Sequence, residues 1–215
     1  MSLIPNETLV MLHQQALARG CTFCAIASNS PPFDPTLPRP PPSPSPHPPN
    51  SDSGHIVLST PDVIAFLDTL PLTRAHVLVC PREHREKLSD LSPAENAVVG
   101  AWLPIIARAA CKVSGYEDFN LVQNNGVNAA QAVPHVHYHI IPRPDERQRE
   151  KLEAETPEDR KRWRKSPFGS GWRSDLDDEE GAQLAAALRA EVEQEVESLR
   201  KDPNRQKDTR FLASI

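Results

Sequence analysis

Eleven of the chain's 23 prolines fall between Pro31 and Pro49, in the run PPFDPTLPRPPPSPSPHPP. Proline carries no amide proton and fixes φ, so this run can supply neither a helix nor a sheet ladder. It predicts an extended, solvated, polyproline-like loop. The 215-residue chain must therefore fold from what lies on either side of it. Residues 29–54 read as a disordered insertion. Two uses are open for it. It is a tolerated loop, or, since PRPPP and PSPSP offer PxxP-like spacing, residues 31–49 are a docking segment for a proline-recognising domain.

Charge is divided just as unevenly. Residues 145–215 hold fifteen Lys and Arg and eighteen Asp and Glu, and the first 144 residues hold nine and eleven. The packed core is expected upstream of residue 145, with 145–215 a charged, mostly helical extension. A net charge of −5 argues against a surface that grips nucleic acid throughout. No run of about 18 apolar residues is read in the chain, so no membrane span is expected. The first thirty residues show no basic start followed by an apolar core, so no secretory leader is expected either. Four cysteines are too few for a disulfide scaffold and fit a reducing compartment. The expected location is the cytoplasm, with the nucleus as an alternative. Arg160-Lys161-Arg162-Trp163-Arg164-Lys165 is either an import or nucleic-acid patch or a solvated charged surface.

The middle of the chain reads as mixed helix and strand. HIVLST (55–60), VIAFLD (63–68), AHVLVCP (75–81), NLVQNN (120–125) and HVHYHIIPR (135–143) are strand-like. Ser92-Pro93-Ala94-Glu95 supplies an N-cap, a proline at the first helical position and a capping-box glutamate. Val98, Trp102, Ile105, Ile106 and Ala109 then recur at helical spacing, with Pro104 expected to kink the helix or force a rearrangement. Two more helices are expected, over Glu7–Arg19 and from about Asp177 to Lys201. The second has acidic residues at its start and basic ones at its end, as the helix dipole favours.

On a strand, alternate side chains share a face, so His135, His137 and His139 should project together. Buried imidazoles need partners. Near neutral pH the ring serves as nucleophile, proton carrier or metal ligand. Cys21-Thr22-Phe23-Cys24 has the gap of a zinc knuckle, with a pair of buried thiols and a redox dithiol as alternatives. Cys80 and Cys111 sit in apolar contexts and read as core residues.

Taken together, QNNGVNAAQAVPHVHYHIIPR (123–143) resembles the signature of the histidine triad (HIT) superfamily. VIAFLDTLPLTRAHVLVCPREH (63–84) resembles its ribose-binding strand, turn and second strand. With CTFC, the similarity covers roughly residues 20–143 and points to the Hint-like branch with a zinc-binding Cys-x-x-Cys. The resemblance implies an α+β fold with a five-stranded antiparallel sheet, usually paired with a second copy. The chain then divides into residues 1–28 (helix and Cys-x-x-Cys start of the domain), 29–54 (insertion), 55–144 (catalytic core) and 145–215 (extension).

The resemblance also implies roles. His137 is the expected nucleophile at the α-phosphorus of a purine nucleotide, with the His135 carbonyl fixing its tautomer. His139 and Gln131 are expected to donate to the phosphate, and Asn124 to face it. Asp68 is expected to accept from the ribose hydroxyls, Phe66 to flank the base, and His84 to lie near the pocket. A structural zinc is expected on Cys21, Cys24, His76 and His135, with no catalytic metal. The implied activity is hydrolysis of the phosphorus–nitrogen bond of a phosphoramidate such as an AMP–amine conjugate. Hydrolysis of dinucleoside polyphosphates, or a related nucleotidyl transfer, is a second reading. A nucleotide-binding scaffold with weak residual activity is a third. Two departures from relatives bear on rate: Ala130 replaces a frequent glycine, and Ala132 a frequent serine or threonine.

Overall fold

The computed structural model describes residues 10, 11, 14, 20–33, 54–154, 164–166, 169–171 and 175–202. Most of the expected Glu7–Arg19 helix and most of the proline-rich insertion lie outside the described residues.

Helix α1 (Thr22–Asn29) precedes the insertion. After it come β1 (Ile56–Ser59), β2 (Val63–Leu67) and β3 (Val77–Pro81), then α2 (Pro93–Ser114), β4 (Asp118–Gln123) and β5 (Tyr138–Arg143). The five strands form one antiparallel sheet in the order β1-β2-β3-β5-β4. Thr60 closes the first hairpin, its hydroxyl accepting from Val63 N at 2.9 Å and Asp62 N at 3.3 Å. Such local bonds are why threonine suits turns. The expected strand over 135–143 forms only from Tyr138 onward. His135 to His137 run ahead of the ladder, held by Val136 N donating to Arg85 O at 2.7 Å.

Period-two alternation divides the sheet into two faces. Val63, Ala65, Leu67, Val77, Val79, Tyr138 and Ile140 point into the main core against Trp102, Ile105 and Ile106 of α2. Ile64, Phe66, Leu78 and Cys80 point the other way, into a smaller cluster covered by Phe23, Ile26 and Ala27 of α1. His139 pairs opposite Leu78, which puts the triad on the α1 side.

The capping box forms as expected: Ser92 Oγ accepts from Glu95 N at 3.2 Å, and the Glu95 carboxylate accepts from Ser92 N at 2.8 Å. Pro104 does not end the helix, which runs on to Ser114. The carbonyl facing the ring belongs to Gly100, and both residues are exposed. The lost bond therefore opens to water instead of the core. By length and hydropathy alone α2 would suit a bilayer, the single such helix among the described residues. Here one face of it is the domain core.

The charged extension is not merely an appendage. After α3 (Glu146–Ala154) and a hairpin of β6 (Arg164–Ser166) and β7 (Gly169–Gly171), helix α4 (Asp178–Lys201) returns to the domain. Asp177 caps it, accepting from Glu179 N and Glu180 N at 3.0 and 3.1 Å. Leu184, Ala185, Leu188, Val192 and Val196 are buried in the main core. The core therefore does not stop before residue 145: an amphipathic stripe inside a charge-rich segment completes it. Of the cationic run at 160–165, Arg164 and Lys165 lie in β6 and the rest falls outside the described residues.

Candidate active site and metal centre

His137 is 4% exposed. Its Nδ1 lies 2.6 Å from the His135 carbonyl oxygen. A carbonyl can only accept, so Nδ1 carries the proton and Nε2 carries the lone pair. Burial lowers the pKa, against the His135 hydrogen bond and the Asp68 charge, which raise it; the net is downward. The ring is thus neutral near pH 7, as a nitrogen nucleophile must be. The Phe23 ring stands edge-on to it at 5.2 Å between centroids, and the His139 ring at 4.9 Å.

His139 sits in a polar chain. Leu72 N donates to His76 Nδ1 at 3.2 Å, and His76 Nε2 lies 3.0 Å from His139 Nδ1. Asp68 lies beside the pair, its Oδ2 3.4 Å from His76 Nδ1 and 3.9 Å from His139 Nδ1, while Oδ1 accepts from Leu70 N at 2.9 Å.

His76 is therefore not beside the cysteines, contrary to the expected ligand set. Strand register explains this. Antiparallel pairing sets Leu78 opposite His139, so residue 76 lies near the far end of the triad strand and residue 135 near Pro81. His135 Nε2 donates to Pro81 O at 2.9 Å. The histidine at that end of β3 is His84, which sequence reading assigned to the nucleotide pocket. Cys21, Cys24, His84 and His135 bring one ligand atom each to within 4.8 Å of one another.

The donor set fits a tetrahedral cation. Sγ of Cys21 lies 3.3 Å from His135 Nδ1, and Sγ of Cys24 lies 3.4 Å from His84 Nδ1 and 3.6 Å from His135 Nδ1. Zinc bond lengths at tetrahedral angles put sulfur and nitrogen about 3.6 Å apart. The Pro81 bond also leaves the His135 Nδ1 lone pair facing the thiols, the outer-shell arrangement that orients metal-binding imidazoles. Burial, above all, pushes His135 down to about 4, so the ring is neutral and able to ligate.

Gln131 is fully buried; its Oε1 accepts from Gly126 N at 2.6 Å, and its Nε2 donates to Glu86 O at 2.7 Å and lies 3.4 Å from His135 O. The side chain braces the loop from 124 to 131. Asn124 is buried at the same loop, its Nδ2 3.5 Å from Ala130 O. Ala130 adopts φ +65°, in the left-handed region. Phe66 is buried with its ring edge-on to Phe23 at 5.2 Å.

Two residues escaped the sequence reading. Phe23 sits between the two cysteines and reaches both Phe66 and His137; an aromatic inside a Cys-x-x-Cys was the available signal. Arg82 braces α1, and nothing local in PREH announced it.

Residues 50–146 match the HIT domain family model. An adenosine 5'-monophosphoramidase of Schizosaccharomyces pombe is 45% identical over 83 residues, 39% of this chain and 59% of that protein. A HIT-like protein of Methanocaldococcus jannaschii is 38% identical over 90 residues, 41% of this chain and 67% of that one. The crystal structure of a Zn-bound histidine triad family protein from Mycobacterium smegmatis superposes with a TM-score of 0.56 at 25% identity, covering 84% of this chain and 99% of that one. The chain belongs to the HIT family. It spans about half the length of the curated relatives it matches.

Proposed function

We propose that this chain is a nucleotide hydrolase that cleaves the phosphorus–nitrogen bond of a purine nucleoside phosphoramidate, of the AMP–amine type. The carrying observation is the 2.6 Å bond from His137 Nδ1 to the His135 carbonyl, which leaves a neutral Nε2 lone pair on a buried ring. That nitrogen attacks the α-phosphorus. A nitrogen–phosphorus bond forms as the bond to the amine breaks, and the amine leaves with a proton taken from solvent. Water then attacks the nucleotidyl-histidine, its hydroxyl joining phosphorus and its proton returning to solvent, which releases AMP and the free imidazole. Splitting one displacement into two is the gain from covalent catalysis. His139, 3.0 Å from His76, donates to the phosphoryl group as charge builds on it. Asp68, on the same sheet face, receives the ribose.

Cys21, Cys24, His84 and His135 hold zinc in this reading. Bound there, the ion supplies a closed four-ligand cross-link with no open position for water. The S. pombe relative, an adenosine 5'-monophosphoramidase, and the zinc in the M. smegmatis structure support the reading. It includes a homodimer, since β4 is an edge strand that exposes Phe119 and Leu121.

The test is a comparison of kcat/KM on an AMP–amine conjugate and on a diadenosine polyphosphate. Preference for the conjugate is expected. Preference for the polyphosphate would transfer the same nucleophile to the other leaving group, and no turnover of either would reduce the chain to a binding protein.

A further inference from the structure

Helix α1 is attached to the domain mainly by contacts. In sequence, twenty residues separate Phe33 from Gly54, the two ends of the described chain on either side of the insertion. Helix α1 is held by its packing, by its polar ties and by whatever joins its cysteines to His84 and His135.

The polar ties come from two residues: Ser59, whose carbonyl accepts from Phe33 N at 2.8 Å and whose Oγ donates to Ser30 O at 2.9 Å, and Arg82. Its Nε donates to Thr60 O at 2.9 Å, its Nη1 to Ala27 O at 2.5 Å and its Nη2 to Ser30 O at 3.0 Å; Nη2 also donates to Ser59 Oγ. Ala27 and Ser30 lie at the C-terminal end of α1, where the Ala27 carbonyl also accepts from Ser30 N at 3.3 Å. Thr60 and Ser59 belong to the β1–β2 hairpin. One guanidinium thus fastens the end of α1 to the sheet. His84 lies two residues beyond Arg82, and the two cysteines lie at the start of α1. The two attachments grip opposite ends of one short helix. At the cysteine end, between Cys21 and Cys24, Phe23 faces His137.

We propose that Arg82 is a positioning residue that fixes the Cys21/Cys24 helix for metal binding, and that docking of this helix couples metal occupancy to nucleotide affinity through Phe23. Metal and Arg82 both favour the docked helix, and the docked helix completes the wall of the pocket around His137. By linkage, a nucleotide that prefers the docked helix must raise metal affinity by the factor by which metal raises its own. The inference rests on the nucleotide-site reading only for the choice of probe, AMP, and it involves no turnover.

The experiment uses the full chain and equilibrium binding. Cobalt(II), whose tetrahedral thiolate spectrum reports the site directly, is titrated with and without AMP. AMP is titrated with and without cobalt. Both are repeated on Arg82→Met and Arg82→Lys. In the unmodified chain each ligand is expected to tighten the other at least threefold, by equal factors. Arg82→Met is expected to weaken cobalt binding about tenfold, and Arg82→Lys, which keeps charge but loses the fork, by nearly as much. Equal AMP affinity in the metal-free and cobalt-loaded chain overturns the coupling, and needs no variant to do so. Cobalt affinity within twofold of the unmodified chain in Arg82→Met overturns the positioning role. Should that variant not fold, Arg82→Lys carries the same criterion. A chain that binds neither probe overturns both. A chain that binds both but hydrolyses no phosphoramidate overturns the proposed function and leaves this inference standing.

Discussion

His135 faces two ways: its ring turns to Cys21 and Cys24, while its backbone oxygen accepts a hydrogen bond from His137 Nδ1 at 2.6 Å. In the proposed function, one residue thereby serves the metal centre with its side chain and the nucleophile with its main chain. Side-chain substitution should separate the two jobs.

His137→Ala removes the attacking nitrogen and leaves the surrounding pocket. Turnover of an AMP–amine conjugate is expected to fall by at least about a thousandfold, as with loss of other covalent nucleophiles. AMP binding, followed by calorimetry, should persist.

His135→Ala keeps the carbonyl that orients His137 but deletes a metal ligand. Zinc content by elemental analysis should drop below one per chain. The kinetic penalty should fall mainly on KM and remain far smaller than for His137→Ala. A loss in kcat as deep as that of the nucleophile variant would show the two jobs to be inseparable.

The fold and the triad were legible because both are written in local pattern. Short apolar runs in 55–81 and the alternating histidines of 135–143 located the strands, and Ser92 to Glu95 announced the start of α2. The fourth ligand to the cysteines was not legible. Choosing between His76 and His84 requires knowing which end of β3 meets His135, and that is a matter of register between strands more than fifty residues apart. The bracing by Gln131 was hidden for a related reason: its partners, Gly126 N and Glu86 O, are set by how the loop folds against residue 86, forty-five positions away. The place of α4 was hidden because charge dominates its composition, although Leu184, Leu188, Val192 and Val196 mark one stripe.

Ala130 holds φ +65° in the loop beside the triad. A left-handed conformation costs a residue with a β-carbon about 1–2 kcal/mol. Glycine would relieve this but would lose about 0.5–1 kcal/mol more chain entropy on folding. Ala130→Gly should therefore stabilise the protein by up to about 1 kcal/mol, seen as a modest rise in Tm. In the proposed function it should also raise kcat/KM, because backbone can then approach the phosphate more closely.

Strand β4 lies at an edge of the sheet, and Phe119 and Leu121 are 44% and 48% exposed on it. An open edge with apolar side chains invites pairing with another strand. Sedimentation equilibrium of the unmodified chain should give about twice the 23.8 kDa of one chain. Phe119→Lys with Leu121→Lys should give monomer, since lysine guards an edge. A monomer before substitution would remove the homodimer from the reading.

The docking of α4 should be acid-sensitive through Glu195, which accepts from Lys112 Nζ at 2.8 Å and from Arg108 Nε. Burial alone would raise the Glu195 carboxyl, but the hydrogen bonds and charges of Lys112 and Arg108 outweigh it and hold the folded pKa below the ordinary value. A carboxyl depressed in the folded state contributes stability that is present above its unfolded pKa, about 4.3. That stability is lost as pH falls through the folded pKa. Thermal unfolding scans should thus show Tm steady from pH 7 to about 5 on this account, then falling at lower pH. Glu195→Gln cannot ionise, so it should start about 1–2 kcal/mol less stable at pH 7, the scale of a hydrogen bond to a charged group. Its deficit against the unmodified protein should shrink as the pH is lowered below about 4. A deficit that stays constant through that range would place the contribution of Glu195 in packing and not in charge.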